Sequence, residues 1–539
     1  LDTGFRGEYW SKAIWLFHDS PTLTEAFLQK YYDSMILQAE HIMECHSAYR
    51  YMSNWGVIEN HGLFEIGVCL PQSEKTKQFI AFAVKNLEVQ VRMQIMPDGV
   101  HWEQSPMYHN EVLHCLLDVI LLAKRNDIAL PDVILRQTEK MAMADVAWLK
   151  PDHHIVMMGD SDDVDVRDRI SVAAYLFLNP VLRFGGFDRL DYESIWDLGM
   201  KAGEEYAGME RRKPDFTSLF LEHSGNTYFR SDWSERANFL HLHSGTMGAG
   251  HGHSDKLHID LVVNGEDVLM DGGRYTYVSG SKRFSYKDPS GHNTITVDDL
   301  PFTVCKDSWE CSKLSQPVKE NFRCTKLAEF AQAGQLGYMD LTGGVYVNRK
   351  VVYIKPDLYV LADEMYTGDR HTYQQYFHFN NHGTVTQNAP GEKKFPCVAY
   401  RGKMAEADFY FVSAQVKAEL KSGHIARHYN VEEENTVCKV TKQGEGFTSL
   451  ITVIDAQPGR PLSIEKLPVR SALKQTDYPE MMAEALKITA GEKEYVVILC
   501  HQEVNSPTDL VEVDGCMGYG NVIVFDKAGD VLVGDVLNW

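Results

Sequence analysis

Four things missing from this sequence narrow its function before any motif is considered. No stretch of about 18 uncharged apolar residues occurs, so nothing reads as a membrane-spanning helix. Basic residues are in deficit: 53 Lys and Arg against 75 Asp and Glu give a formal net charge of -22. That balance argues against a nucleic-acid partner, because binding a phosphate backbone needs a basic footprint. No pair of carboxylates stands out as the acid and nucleophile of a glycosidase. The ten cysteines are scattered, and the only close pair, Cys305 and Cys311, matches no metal-ligand spacing. Cys69 and Cys115 lie in apolar helix-like stretches that suit buried thiols. This usage leans towards a reducing, cytoplasmic compartment. The chain begins with Leu1 rather than Met and reads as starting inside a longer precursor, so a periplasmic or secreted location stays open.

What is present is an ordinary globular composition, 44% hydrophobic and 24% charged, over 539 residues. That length exceeds one hydrophobic core, so two or three domains are expected. Residues 1–210 read as helices. A capping-box pattern at Thr22 and Glu25 opens a helix over 22–45. Ile80, Val84, Leu87, Val91 and Ile95 form a helical stripe within 73–96. Further helices are expected from near Tyr108 to Ala123 and from Pro131 to near Leu149. Successive helices with short connectors suggest stacked hairpins, as in an α/α toroid or solenoid.

The pattern changes near 211–215. Short alternating runs follow at 226–233, 237–244 and 257–263, the last ending in the hairpin signal Asn264-Gly265. Strands continue to a terminal hairpin, 521–525 with 531–536. Helices followed by many strands imply separate domains: helical over 1–210, a β-sandwich over 211–390 and a C-terminal β-sheet region over 391–539.

The densest polar cluster is His251-Gly252-His253-Ser254-Asp255, followed by Asp271-Gly272-Gly273 and His292-Asn293. His253, Asp271 and His292 offer two imidazoles and a carboxylate, a set suited to zinc, with His241 and His243 as competing ligands. In the helical half, Asn60-His61 and the run Glu103-Gln104-Ser105-Pro106-Met107-Tyr108-His109 stand at polar, aromatic-rich helix starts, as a sugar-binding cleft needs. Taking the C5 proton from a uronic acid requires its carboxylate charge to be neutralised, for which an amide such as Asn60 serves. It also requires a base, and an acid for the departing O4, which tyrosine and histidine can supply.

At these residues, and at Gly159-Asp160-Ser161-Asp162 and Arg274-Tyr275, the chain resembles the heparinase II/III group of polysaccharide lyases. The motifs occur in the family's order across about residues 54 to 300. The resemblance implies an incomplete α/α toroid followed by antiparallel β-sandwich layers, with the active cleft between them. It implies that Asn60, with His61, neutralises the substrate carboxylate, that Tyr108 is base and acid, and that His251 is the partner base on the opposite face. His109, Arg274 and Tyr275 would contact substrate. His253, Asp271 and His292 would hold a structural metal, zinc by preference. Arg92, Arg167, Arg169, Lys256, Lys282 and Arg283 are further candidates for sulfate or carboxylate contacts. The implied substrate is an acidic polysaccharide, heparan sulfate or heparin first, with hyaluronan, chondroitin and alginate as neighbours. A zinc hydrolase acting on carbohydrate and a non-catalytic carbohydrate-binding protein are the competing readings.

Overall fold

The computed structural model describes residues 1–389, 391–527 and 532–538, with backbone alone at Lys319. The chain forms two compact units. One holds Leu1–Leu149, His153–Ile155 and Val164–Asp215; the other holds Lys150–Asp152, Val156–Asp163 and the chain from Phe216 onward.

The first unit is an incomplete α/α toroid. Its principal helices are α1 (Asp2–Leu16), α2 (Glu25–Glu44), α3 (Asn54–Cys69), α4 (Glu74–Gln94), α5 (Pro106–Arg125) and α6 (Asp132–Trp148). Helix α2 is capped by Thr24, whose hydroxyl accepts from the Phe27 amide at 3.3 Å, not by the expected Thr22. The capping box lies at α4 instead, where Ser73 and Thr76 bond reciprocally. Helix α3 is the hub of this unit, apolar on nearly every side and buried from Asn54 to Gly67 apart from Trp55.

The stripe expected on α4 differs from the buried face. Ile80 and Val84 are half-buried, and the enclosed side is Phe79, Ala83, Leu87 and Val91 together with Asn86, Gln90 and Gln94. These amides have a backbone task. Gln90 donates to the Arg50 carbonyl at 3.0 Å, and Gln94 donates to those of Tyr51 and Ser53 at 2.8 and 3.1 Å. They satisfy the turn that leads into α3.

A charge network ties α1, α3 and α5 together. Lys12 donates to Asp118 at 2.7 Å and to Glu8 at 3.2 Å, and His114 bonds Glu8 at 3.0 Å. Burial pushes the Glu8 carboxyl up, but the His114 hydrogen bond and the nearby His61 and Lys12 charges outweigh it, and the pKa falls from 4.5 to about 2. A carboxyl depressed in the folded state adds stability that is complete above its unfolded pKa and lost as pH falls through the folded one. Glu8→Gln is therefore expected to remove on the order of 3 kcal/mol near neutrality. It should also flatten the fall in stability between about pH 4.5 and 2. Urea unfolding across that range checks it, and an acid limb identical to the parent's would contradict it.

The second unit is antiparallel β-sandwich. It opens with β1 (Leu219–Leu221), β2 (Asn226–Arg230), β3 (Phe239–His243), β4 (His258–Val263), β5 (Glu266–Leu269) and β6 (Ile295–Val297). Asn264 and Gly265 turn β4 into β5 with φ of 50° and 82°, the left-handed pair that a two-residue hairpin demands. Two long strands, Leu358–Phe379 and Val431–Asp455, pair antiparallel and form the spine of a 15-stranded sheet among the described residues. The boundary expected at 390 is therefore not a domain boundary, since this sheet runs through it. The change of sheet comes at Leu462–Leu467, the first strand of a five-stranded layer. That layer packs Leu486, Ile488, Val497 and Val524 onto Val352, Val360 and Val453 of the large sheet. Its last pair, Val522–Asp526 with Val533–Asn538, is the expected terminal hairpin. The turn at 528–529 and residue 531 lie outside the described residues.

Candidate active site and metal centre

In the β unit, chemistry gathers around the loop that joins β3 to β4. The loop is tight: a Cβ at Gly252 would meet the Met247 carbonyl oxygen at 1.5 Å, so only glycine fits there. Asp160, from the segment Val156–Asp163, is the organising residue. Its amide donates to the His251 carbonyl at 2.8 Å. Its carboxylate faces His251 Nδ1 at 3.2 Å, His253 Nε2 at 2.8 Å, and both terminal nitrogens of Arg283 at 2.5 and 2.8 Å. Burial opposes ionisation of Asp160, but the pull of His253, the two imidazole hydrogen bonds and the Arg283 guanidinium outweigh it, and its pKa lies well below the usual carboxylate range. A carboxylate only accepts, so His251 presents Nδ1–H to it. His251 itself is 9% exposed.

In the sequence Asp160 stands only as part of a motif, with no role of its own. The available hint was Gly159-Asp160-Ser161-Asp162 itself, a polar run with Gly159 at φ 59°, close behind the apolar Ile155 to Met158.

His253, Asp271 and His292 converge, each offering a ligand atom within 4.8 Å of the others. His253 Nδ1 and His292 Nε2 are buried with no hydrogen-bond partner among the described residues. Burial drops the His253 pKa to about 4 against the pull of Asp160, so the ring is neutral and its lone pair available. Two orphaned imidazole nitrogens beside a carboxylate are a donor set that could hold a divalent metal such as zinc. All three residues are nearly inaccessible, at 1%, 0% and 0% exposure, whereas catalytic zinc keeps an open position. Their frame is rigid. Asn293 clamps the Ile259 and Met270 carbonyls, and Arg349, paired with Asp363, donates to the Leu257 and Asn293 carbonyls. Of the competing pair, His241 spends both ring nitrogens on Asp260 and Asn226, whereas His243 gives only Nδ1 to Asn226 and its Nε2 lies 3.5 Å from Asp255.

Several proposed substrate contacts are internal struts. Arg274 bonds Asp162 through Nε and Nη2 at 2.7 and 3.1 Å and donates to the Tyr277 hydroxyl at 2.7 Å. Tyr275 stacks on Tyr286. The tyrosine beside His251 is Tyr277, 5.8 Å between ring centres, with Trp309 at 5.3 Å. Arg283 is fully buried on Asp160, Lys256 donates to the Gly245 carbonyl, and Lys282 pairs with Glu432. Arg92, Arg167 and Arg169 pair with Glu88, Asp165 and Asp168 within their own unit.

In the helical unit, Tyr108 stands half-buried in the first turn of α5. Asn54, at the start of α3, meets both oxygens of Glu103 at 3.1 and 2.9 Å, and Trp102 donates to the Met52 carbonyl at 3.0 Å. These bonds tie the mouth of α3 to the segment that leads into Tyr108. Asn60 lies deeper. It is 0% exposed, and its amide donates to the Gly56 carbonyl at 2.8 Å and to Gln90 at 3.4 Å. It belongs to the amide ladder under α4 and does not face outward. His61 is likewise enclosed, between Glu65 and Asp118 at 3.2 and 3.5 Å. His109 is enclosed too: it accepts from the His101 amide and bonds the Met141 carbonyl, with its pKa driven to about 3 by burial. Asn60, His61 and His109 are thus framework residues, because each spends its polar atoms inside the helical core.

Two family models match the chain, the Heparinase II/III N-terminus over residues 1–180 and the Heparinase II/III-like C-terminal domain over residues 213–460. The chain belongs to the heparinase II/III family. Among characterised relatives, a heparin-sulfate lyase of Pedobacter heparinus is 25% identical over 315 residues, 55% of this chain and 43% of the relative. One of Bacteroides thetaiotaomicron is 23% identical over 371 residues, 65% of this chain and 49% of the relative. The chain therefore spans less than half the length of these relatives. The solved heparan sulfate lyase of Pedobacter heparinus superposes with a TM-score of 0.71 at 19% identity, over 94% of this chain and 75% of that one. A crystal structure of heparinase III gives 0.74 at 16% identity, over 93% and 75%. At such identities the likeness establishes the fold, α/α toroid with β-sandwich.

Proposed function

We propose that this protein is a polysaccharide lyase that cleaves uronic-acid-containing glycosaminoglycan by β-elimination, with heparan sulfate or heparin as first substrate. The observation that carries the reading is His251, whose ring is fixed through Nδ1 on the buried Asp160 carboxylate, the orientation a proton-transferring imidazole needs. The heparin-sulfate lyase relatives point to the same substrate class. In this mechanism the amide of Asn54 neutralises the uronate carboxylate, which lowers the barrier to losing the C5 proton. Tyr108 takes that proton and returns one to the departing O4, while His251 serves as base for the opposite epimer. Electron flow from C5–H into the C4–O4 bond leaves a 4,5-unsaturated uronate and consumes no water. Incubation with a panel of defined polysaccharides should raise the ultraviolet absorbance of that product. Chain scission without the double bond would mean hydrolysis and end this reading.

The two asparagines separate cleanly. Asn54→Ala is expected to lower kcat by about 10²–10³-fold, as removal of one charge-stabilising donor does, with a further loss of stability because its amide also bonds both oxygens of buried Glu103. Asn60→Ala should lose about 1–3 kcal/mol of stability through the buried partners it leaves unsatisfied, with kcat retained in the surviving fold. Turnover and thermal melting of both variants check this, and the reverse pattern would return the catalytic amide to Asn60.

His253, Asp271 and His292 would hold a zinc ion whose contribution is structural, fixing the loop that carries His251. The alternative of a zinc hydrolase requires substrate to reach those three residues, and their burial opposes it. A chelator is expected to lower Tm by several degrees and to drain activity as the loop loosens, with zinc restoring both. Instant loss of turnover at unchanged Tm would favour the hydrolase.

A further inference from the structure

Beside the His251 loop lies a pair of thiols for which the lyase reading has no use. Val304–Cys305 and Cys311–Lys313 form a two-stranded hairpin in which Cys305 and Cys311 stand directly opposite each other. Their sulfurs are 3.1 Å apart, and both residues are half-buried. Directly opposed residues of an antiparallel pair have Cα atoms about 4.5–5.5 Å apart, inside the range a disulfide bridges. Two thiolates on one tetrahedral zinc would stand roughly 3.7 Å apart, as zinc–sulfur bonds of about 2.3 Å require, so the pair is too close for that use. Their mutual hydrogen bond splits the two thiols: it pushes Cys305 up, with burial reinforcing it, and brings Cys311 down to about 7 against burial.

The hairpin is coupled to the active loop. Its turn is ordered by Asp307, which accepts from the Trp309 and Glu310 amides at 2.7 and 2.8 Å. Ser308 donates to the Tyr277 carbonyl at 2.7 Å. Lys287 bridges the Gly250 and Ser308 carbonyls at 2.6 and 3.2 Å, joining the His251 loop to the hairpin tip. Trp309, 52% exposed at that tip, sets its ring edge-to-face with His251.

We propose that Cys305 and Cys311 are a redox-sensitive cross-strand disulfide site whose closure fixes Trp309 against His251. The oxidant is a low-molecular-weight disulfide. The Cys311 thiolate attacks it, forming a mixed disulfide and releasing one small thiol. The Cys305 thiolate then attacks Cys311 Sγ and expels the second small thiol. Two cysteine thiols are oxidised to one disulfide, and the small disulfide is reduced to two thiols that carry away both protons. In the oxidised form the hairpin is covalently closed and Trp309 becomes a fixed wall beside His251. In the reduced form the tip is held by hydrogen bonds alone.

The test uses the full chain equilibrated in oxidised or reduced glutathione, quenched with an alkylating agent and mapped by peptide mass. In oxidised glutathione the peptide containing Cys305 and Cys311 should lose both alkylation sites and two hydrogens of mass. Reduced glutathione should restore both. Cys305→Ser should stop at a glutathione adduct on Cys311, which shows that the partner thiol completes the exchange. Oxidation should also shift tryptophan emission in the parent and not in Trp309→Phe. Two thiols that remain alkylatable in oxidised glutathione, or that each keep a glutathione adduct, would overturn the disulfide. A closed disulfide with no Trp309-dependent emission change would overturn its link to His251. Neither readout depends on which polysaccharide is cleaved.

Discussion

Tyr108→Phe is expected to cut formation of the unsaturated product by about 10²–10⁴-fold while leaving the melting temperature within a degree or two of the parent's, the range that loss of one positioned acid–base group produces. The substitution removes a single oxygen from a half-buried side chain on the first turn of α5, so packing changes little. On the proposed mechanism, what disappears is the atom that takes the C5 proton and gives one to O4. Because the hydroxyl acts in the chemical step, the loss should fall on kcat and kcat/KM together, with KM nearly unchanged. His251→Ala provides the internal contrast. If His251 serves the opposite epimer, its loss should fall hardest on substrates of one uronate configuration and Tyr108→Phe on the other. Equal, small effects of both substitutions on every substrate would leave no acid–base pair and would favour a protein that only binds carbohydrate.

How much of this was legible in the sequence depended on whether the signal was local. The Asn264-Gly265 turn, the helix that starts at Pro131 and the switch from helices to strands near 211 each follow from the neighbouring residues alone, and the structure contains all of them, with Pro131 as the cap before Asp132. The convergence of His253, Asp271 and His292 was legible because glycine-rich turns flag them. The failures are non-local. Asn60 and Asn54 both look like polar residues near a helix start, and only the three-dimensional ladder of Asn86, Gln90 and Gln94 shows that Asn60 points inward. Histidines next to motif residues invite a functional reading, yet His61 and His109 serve the core. The 390 boundary failed for a related reason. A spine strand pairs with a partner more than fifty residues away, and strand patterning along the chain does not reveal which strand joins which sheet.

Asp160→Asn should produce the most severe combined defect, in stability as well as turnover. The side chain is 0% exposed and pairs with the equally buried Arg283 guanidinium, while both imidazoles also donate to it. Asparagine keeps the shape but removes the charge, and it turns one acceptor into a donor aimed at groups that already donate. Breaking a buried pair by neutralising one partner leaves the other uncompensated, at about 3–5 kcal/mol. The histidines then lose the group that fixes their tautomers, so His251 no longer reliably holds its lone pair on Nε2, and His253 no longer holds its own on Nδ1 towards Asp271 and His292. Loss of zinc affinity should therefore accompany loss of turnover, a coupling that His251→Ala should not show because His251 lies outside the ligand set. Calorimetric unfolding, zinc titration and turnover of both variants distinguish the cases. An Asp160→Asn protein that melts, binds zinc and turns over like the parent would mean that Arg283 and the two imidazoles are held by other groups, and that His251 does not owe its orientation to this carboxylate.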